Sequence, residues 1–237
     1  MRHNMPANEK VTRAIKSFVR RSGRMTQAQK NALEAYWPAY GIEFSQSVVN
    51  IPTGFDALKL EIGIGNGDAL IHMAAADPSS LYLGVEVHEP GIGRCLNNIV
   101  QQELANVRLI MHDAIEVMEY MIAAASLDRL LLFFPDPWHK KRHHKRRIVN
   151  QGFRDLVFNR LKPGGSIHIA TDWQDYAESI ALQFLADKRF SNQGDAAGFV
   201  EPPAYRPLTR FEQRGRRLGH GVWDMVFTKI RDSALST

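Results

Sequence analysis

Leu60-Glu61-Ile62-Gly63-Ile64-Gly65-Asn66-Gly67 decides the reading of this 237-residue chain. An apolar run carrying one acid gives way to a loop with glycine at every second position. A buried strand passes into a helix in this way at the carboxyl edge of an open α/β sheet, where ligands bind near the point at which strand order reverses. Glycines there let the backbone approach a ligand closely and adopt positive φ. The spacing is GxGxG followed by Asp68, so the GxGxxG dinucleotide fingerprint is not completed, which counts against a nicotinamide cofactor.

Outward from this loop, short apolar runs alternate with helical stretches. Residues 58–62, 81–87, 107–111, 127–134 and 166–170 read as strands, and 68–76, 93–104, 115–125, 150–161 and 176–187 as helices, the fourth stopped by Pro163-Gly164-Gly165. Such alternation implies right-handed βαβ crossovers and a mostly parallel, twisted sheet with helices on both faces. The run Leu130-Leu131-Leu132-Phe133-Phe134 suits a central strand covered on both sides. Residues 222–228 form a further strand after a basic helical segment, and their placement suggests an antiparallel C-terminal strand. On the other side, 26–40 read as a helix ending at Pro38. Residues 1–25 are a basic arm that orders on binding or simply stays flexible. The domain plan is that arm and a single α/β domain, 26–237.

Charge is concentrated. The net value is +5, yet residues 2–24 hold seven Lys/Arg against one acid, 140–147 hold six against none, and 206–217 hold five against one. Three such patches favour a polyanion, because neutralising phosphates releases condensed counterions. A single cysteine, Cys95, excludes an internal disulfide and a cysteine-rich zinc site. No apolar run approaches the ~20 residues that span a bilayer, and the first 18 residues have no signal-peptide core. The expectation is a cytoplasmic protein without a membrane partner.

Three acids mark successive strand ends: Glu61, Glu86 and Asp113. An acid about 20 residues past the glycine loop is placed to accept from ribose hydroxyls, which suits Glu86, and Asp113 suits an adenine amino group. Each alone also fits a cap or turn. The most informative stretch is Pro135-Asp136-Pro137-Trp138-His139-Lys140-Lys141-Arg142-His143-His144-Lys145-Arg146-Arg147. A buried strand runs into a proline-locked turn that holds one carboxylate, then an aromatic, which fits a core position equally well, then a dense basic run. The histidines do not mark a metal site, since no second ligand cluster exists and the adjacent cations repel one.

Glu61-Ile62-Gly63 with Gly65, Gly67 and Glu86 resembles the opening motifs of Rossmann-like class I methyltransferases that use S-adenosylmethionine. The stretch from Pro135 to Arg147 resembles the bacterial tRNA (guanine-N7)-methyltransferase family, whose members carry a PDPWxKKRHxKRR-like segment. Ser17-Phe18-Val19-Arg20-Arg21, Thr171-Asp172-Trp173 and Thr209-Arg210-Phe211-Glu212 extend the match almost end to end. The resemblance implies that Glu61, Glu86, Asp113 and Asp136 contact the cofactor, with Gly63, Gly65 and Gly67 lining it, and that Asp136 is catalytic. It implies substrate contacts at Lys140, Asp172, Thr209, Arg210, Phe211 and Glu212, and RNA contacts at Arg142, His143, His144, Lys145, Arg146 and Arg147. It implies methylation of a variable-loop guanine, position 46 in tRNA convention, with S-adenosylhomocysteine as product and no metal.

Guanine N7 carries an in-plane lone pair and no proton, so no general base is needed; positioning and charge compensation are what a protein must supply. Thr209 with Glu212 also has the form of a helix-opening capping box. Two other readings compete. Asp136-Pro137-Trp138 is superficially close to the Asp/Asn-Pro-Pro-aromatic turn of enzymes that methylate exocyclic amines, although here one proline precedes the acid and only one follows. A non-catalytic RNA-binding module on the same fold is opposed by the intact Glu61, loop glycines and Asp136.

Overall fold

The computed structural model describes residues 24–208, 212 and 221–231. Among these, eight strands form one sheet in the order β1-β4-β3-β2-β5-β6-β8-β7. The strands are β1 (Gly41–Ile42), β2 (Ala57–Ile62), β3 (Ser80–Val85), β4 (Val107–Ile110), β5 (Leu127–Phe133), β6 (Leu161–Thr171), β7 (Phe190–Asn192) and β8 (Trp223–Lys229). All pairings from β1 to β6 are parallel, and β8 is antiparallel to both β6 and β7. The helices are α1 (Gln27–Tyr40), α2 (Asp68–Ala76), α3 (Glu89–Gln101), the single turn α4 (Ala114–Glu116), α5 (Gln151–Arg160) and α6 (Gln174–Leu185). Two apolar clusters cover the sheet: one packs α5 and α6 residues such as Phe153, Tyr176 and Phe184 on Leu60, Leu130 and Ile167, and the other packs α2 and α3 residues such as Leu70, Ile92 and Leu96 on Leu109 and Leu131. Burial on both faces explains why the central strands are largely apolar.

The expected strand–helix alternation and the antiparallel C-terminal strand are present, with four departures. Residues 115–125 do not make an α-helix. After α4 the chain widens into a π-type turn, Val117–Met121, closed by Ile122 N donating to Val117 O at 3.2 Å, and this buries Val117, Met118, Met121 and Ile122 on one face. The helix expected from residue 93 begins at Glu89, where Pro90 sits in the first turn and needs no hydrogen-bond partner for its nitrogen. Pro163-Gly164-Gly165 lies inside β6, whose pairing with β5 shifts register between Leu127 and Arg129, so these residues form an irregularity in a strand. Helix α1 continues past Pro38 to Tyr40; Thr26 caps it reciprocally with Gln29. The edge strands β1 and β7 were not expected. The arm up to residue 23, with Ser17 to Arg21, and Thr209, Arg210, Phe211, Arg214, Arg216 and Arg217, lie outside the described residues.

Candidate active site

Five parallel strands deliver their carboxyl ends to one rim. Ile62 lies opposite Val85 and Leu132, Val85 opposite Ile110, and Phe133 opposite Ala170. The residues that follow, 63–67, 86–88, 111–113, 134–138 and 171–173, therefore share that edge. Glu61, Glu86, Asp113, Asp136 and Asp172, which the sequence marks singly, are brought together by the sheet.

The glycine loop is set by backbone conformation at all three glycines and by close packing at Gly67. Gly67, with φ of +80°, is the N-cap of α2, and a Cβ there would come within 2.3 Å of Cys95 Sγ. Gly63 and Gly65 also have positive φ. The loop is held from across the rim: Gly65 N donates to Glu86 Oε2 at 2.8 Å, while Val87 N and His88 N donate to Oε1 at 2.7 and 3.0 Å. A carboxylate offers about four lone-pair sites, so Glu86 fixes the loop and keeps capacity for a further donor. Asp113 Oδ1 accepts from Ile115 N at 3.0 Å as the cap of α4. Glu61 is 3% exposed, and its Oε2 is buried without a hydrogen-bond partner among the described residues. Burial, then the neighbouring charge of Glu86, push its pKa up to about 8.

That unsatisfied buried oxygen tests whether a cofactor fits. A buried carboxylate that lacks a donor is costly, and a ligand bringing positive charge and donors would relieve it. The glycine loop, open at Gly63 and Gly65, and the half-buried Glu86 supply the adjoining polar wall. These residues fit a cationic nucleoside such as S-adenosylmethionine. Among the described residues, no group of three or more His, Cys, Asp or Glu is placed to hold a metal ion.

Asp136 is exposed at the tip of the turn after β5. The turn is bounded by Phe134 and Trp138, non-glycine residues with φ of +51° and +48°, a conformation that persists only when the surroundings impose it. Phe134 N still donates to Ala170 O at 2.7 Å, which ties the turn to β6. Beyond it, Lys141–Arg146 form a 3₁₀ helix. Lys140, Lys141, Arg142 and Lys145 are exposed, and His143 and His144 half-buried. Arg146 lies over the Trp138 ring at 4.1 Å, and His143 meets the same ring edge-on at 5.9 Å; Trp138 is thus a half-buried aromatic packed against the basic run. Arg147 is buried against the turn and α6. After β6, Thr171 Oγ1 accepts from Trp173 N at 3.3 Å, Asp172 is half-buried, and the exposed Trp173 ring lies 4.2 Å from His139.

Sequence reasoning missed a buried polar cluster behind this edge. Arg206 binds both oxygens of Glu212, at 2.5 and 3.2 Å, and reaches Asp224 through Nη2 at 2.9 Å. Asp224 also meets His168 Nε2 at 2.7 Å, and Tyr205 Oη lies 3.0 Å from His168 Nδ1. Burial lowers the His168 pKa despite Asp224. Glu212, expected at the substrate, is 1% exposed. The available signal was polar residues, His168 and Asp224, inside otherwise apolar adjacent strands.

Residues 56–225 match the family model described as "Putative methyltransferase". The chain is 51% identical to the tRNA (guanine-N(7)-)-methyltransferase of Pseudomonas aeruginosa (strain UCBPP-PA14), covering 92% of this chain and 91% of that protein. It is 47% identical to the protein of the same name from Escherichia coli (strain UTI89 / UPEC), covering 94% and 95%. Among solved structures, an rRNA methylase from Streptococcus thermophilus aligns with a TM-score of 0.51 at 14% identity, over 74% of this chain and 87% of that one, a likeness of fold alone. Family model and relatives cover both the glycine loop and the proline-locked turn, the two halves of the rim that the sheet brings together, and the chain belongs to the tRNA (guanine-N(7)-)-methyltransferase family.

Proposed function

We propose that this chain transfers a methyl group from S-adenosylmethionine to N7 of a guanine in tRNA, at position 46 of the variable loop. One observation carries the reading: the buried, unsatisfied Glu61 and the exposed Asp136 lie on the same rim, next to an exposed basic run. When bound, the cofactor would supply a methyl carbon made electrophilic by a sulfonium. Glu61, Glu86 and Asp113 hold the cofactor, with Gly63, Gly65 and Gly67 giving its close approach. Asp136 and Asp172 face the purine, where a carboxylate favours the positive charge that N7 substitution creates. Either also accepts from guanine N1–H and the 2-amino group, a pairing adenine cannot offer. Lys140, Arg142 and Lys145 meet phosphate, as do the basic arm 1–25 and Arg210, Arg214, Arg216 and Arg217. The catalytic domain is 26–237.

The test incubates the protein with labelled cofactor and unmodified bulk tRNA, then identifies the modified nucleoside. N7-methylguanosine is expected; an N-methylated amino base would transfer the assignment to the exocyclic-amine class. Asp136→Ala is expected to lower turnover at saturating cofactor by about 10²–10³-fold, and near-normal turnover would remove Asp136 from the mechanism.

A further inference from the structure

Within the basic run 140–147, Arg147 alone is buried, at 7% exposure. Its Nε donates to Pro137 O at 2.9 Å, inside the turn that carries Asp136. Its Nη2 donates to Asp175 Oδ2 on α6 at 2.6 Å and to His144 Nε2 at 3.1 Å. The guanidinium stacks over the Tyr176 ring at 4.6 Å, and Tyr176 is itself fully buried, with its hydroxyl accepting from Val149 N at 3.3 Å. The far end of this contact is therefore anchored in the core.

We infer that Arg147 is a positioning residue that pins the turn 134–138, and Asp136 with it, against α6, and is not a phosphate contact. The inference rests on the reading of Asp136 given above. The turn needs such a pin, because positive φ at both Phe134 and Trp138 is held only by outside constraints. Proline nitrogens at 135 and 137 have no hydrogen to donate, so the turn has fewer backbone donors than its length would give, and Arg147 holds it through the carbonyl of Pro137. A phosphate would have to displace Asp175 and enter a site already closed by Tyr176. A planar fork that bonds in two directions while stacking on a ring is a task lysine does not perform.

The experiment measures tRNA methylation by Arg147→Lys, Arg147→Met and Asp175→Asn beside Arg142→Ala and Lys145→Ala. Cofactor and tRNA are varied separately at salt from about 50 to about 200 mM, and deuterium exchange is followed across the chain. Arg147 variants are expected to lower kcat tenfold or more, with tRNA KM within about twofold, an unchanged salt slope, intact cofactor binding, and faster exchange confined to 134–140. Asp175→Asn, whose side chain is 64% exposed, lowers kcat in the same way by about threefold to tenfold. Arg142→Ala and Lys145→Ala raise KM and reduce the salt slope by about one each. Arg147 variants with normal kcat, raised KM and a reduced slope would make Arg147 a phosphate contact and overturn the inference. Faster exchange throughout the chain with lost cofactor binding would overturn it as well, by making the residue a general structural one. If the Arg147 variants do not fold, a normal kcat in Asp175→Asn overturns it. Absence of guanine-N7 methylation by the wild type would fail the functional reading instead, and the exchange data would still decide whether Arg147 pins the turn.

Discussion

Burying a carboxylate with an unpartnered oxygen opposes ionisation, and at Glu61 the conflict is resolved by a proton. The folded pKa of about 8 lies above the ordinary 4.5. The folded, cofactor-free protein thus holds this proton more tightly than the unfolded chain does. The stability linked to it is complete below the ordinary value and is lost as pH rises through about 8. Between about pH 7 and 9 the loss is about 1–2 kcal/mol, read as a Tm decrease of a few degrees. Glu61→Gln is expected to remove that decline, and a pH-independent wild-type Tm would contradict the assignment. Cofactor binding runs the other way: the ionised form accepts positive charge, so wild-type affinity climbs by up to about tenfold per pH unit until about pH 8, while Glu61→Gln binds more weakly and with a flat profile. Calorimetry across this range checks both. The same scale explains why some roles were not visible in the chain itself. Arg142 and Arg147 are equivalent in composition; what separates them is Asp175 and Tyr176, 28 and 29 residues beyond Arg147, which become its neighbours only after folding. Glu212 read as a cap acid, and Arg206 makes it a buried one.

At the level of elements, the fit of α3 against the glycine loop sets the shape of the proposed cofactor site. A Cβ on Gly91 would lie 2.2 Å from Gly65 O, and backbone cannot move aside as a flexible side chain would. Gly91→Ala is expected to cost about 1–3 kcal/mol in denaturant unfolding and to weaken cofactor binding at least tenfold. Gly152→Ala in α5, where the nearest atom would be 3.5 Å away, is expected to add up to about 1 kcal/mol and leave binding unchanged; equal effects at both sites would refute the packing argument. The elements that carry the site were legible because each announces itself locally: apolar strands, a glycine loop, acids within three residues of strand ends. Parallel topology then forces those ends onto one rim. What escaped was set by contacts rather than by period. The π-type turn at 117–121 satisfies four buried side chains at once, β6 absorbs a Pro-Gly-Gly that usually ends structure, and β1 and β7 are too short to show alternation.

Across the whole molecule, the basic face and the buried ion cluster are separate devices with opposite energetics. Exposed cations on the first act on a polyanion through counterion release and weaken with salt. The second is shielded from salt: Arg206 compensates both Glu212 and Asp224, whose side chains are 0% exposed. Arg206→Met would remove the buried cation that compensates both carboxylates, although Asp224 keeps His168, and a loss of about 3–5 kcal/mol is expected in chemical denaturation, with little dependence on ionic strength. A loss below about 1 kcal/mol would mean that the carboxylates find other partners. The order of strands has a different consequence. Among the described residues its outermost members are β1, two residues long, and β7, three residues long, so each of these edge strands offers a visiting strand little backbone to pair with. A long open edge is a template for fibrils and domain exchange; a sheet that tapers to such stubs can stay crowded against nucleic acid in a cell without recruiting its own copies edge to edge.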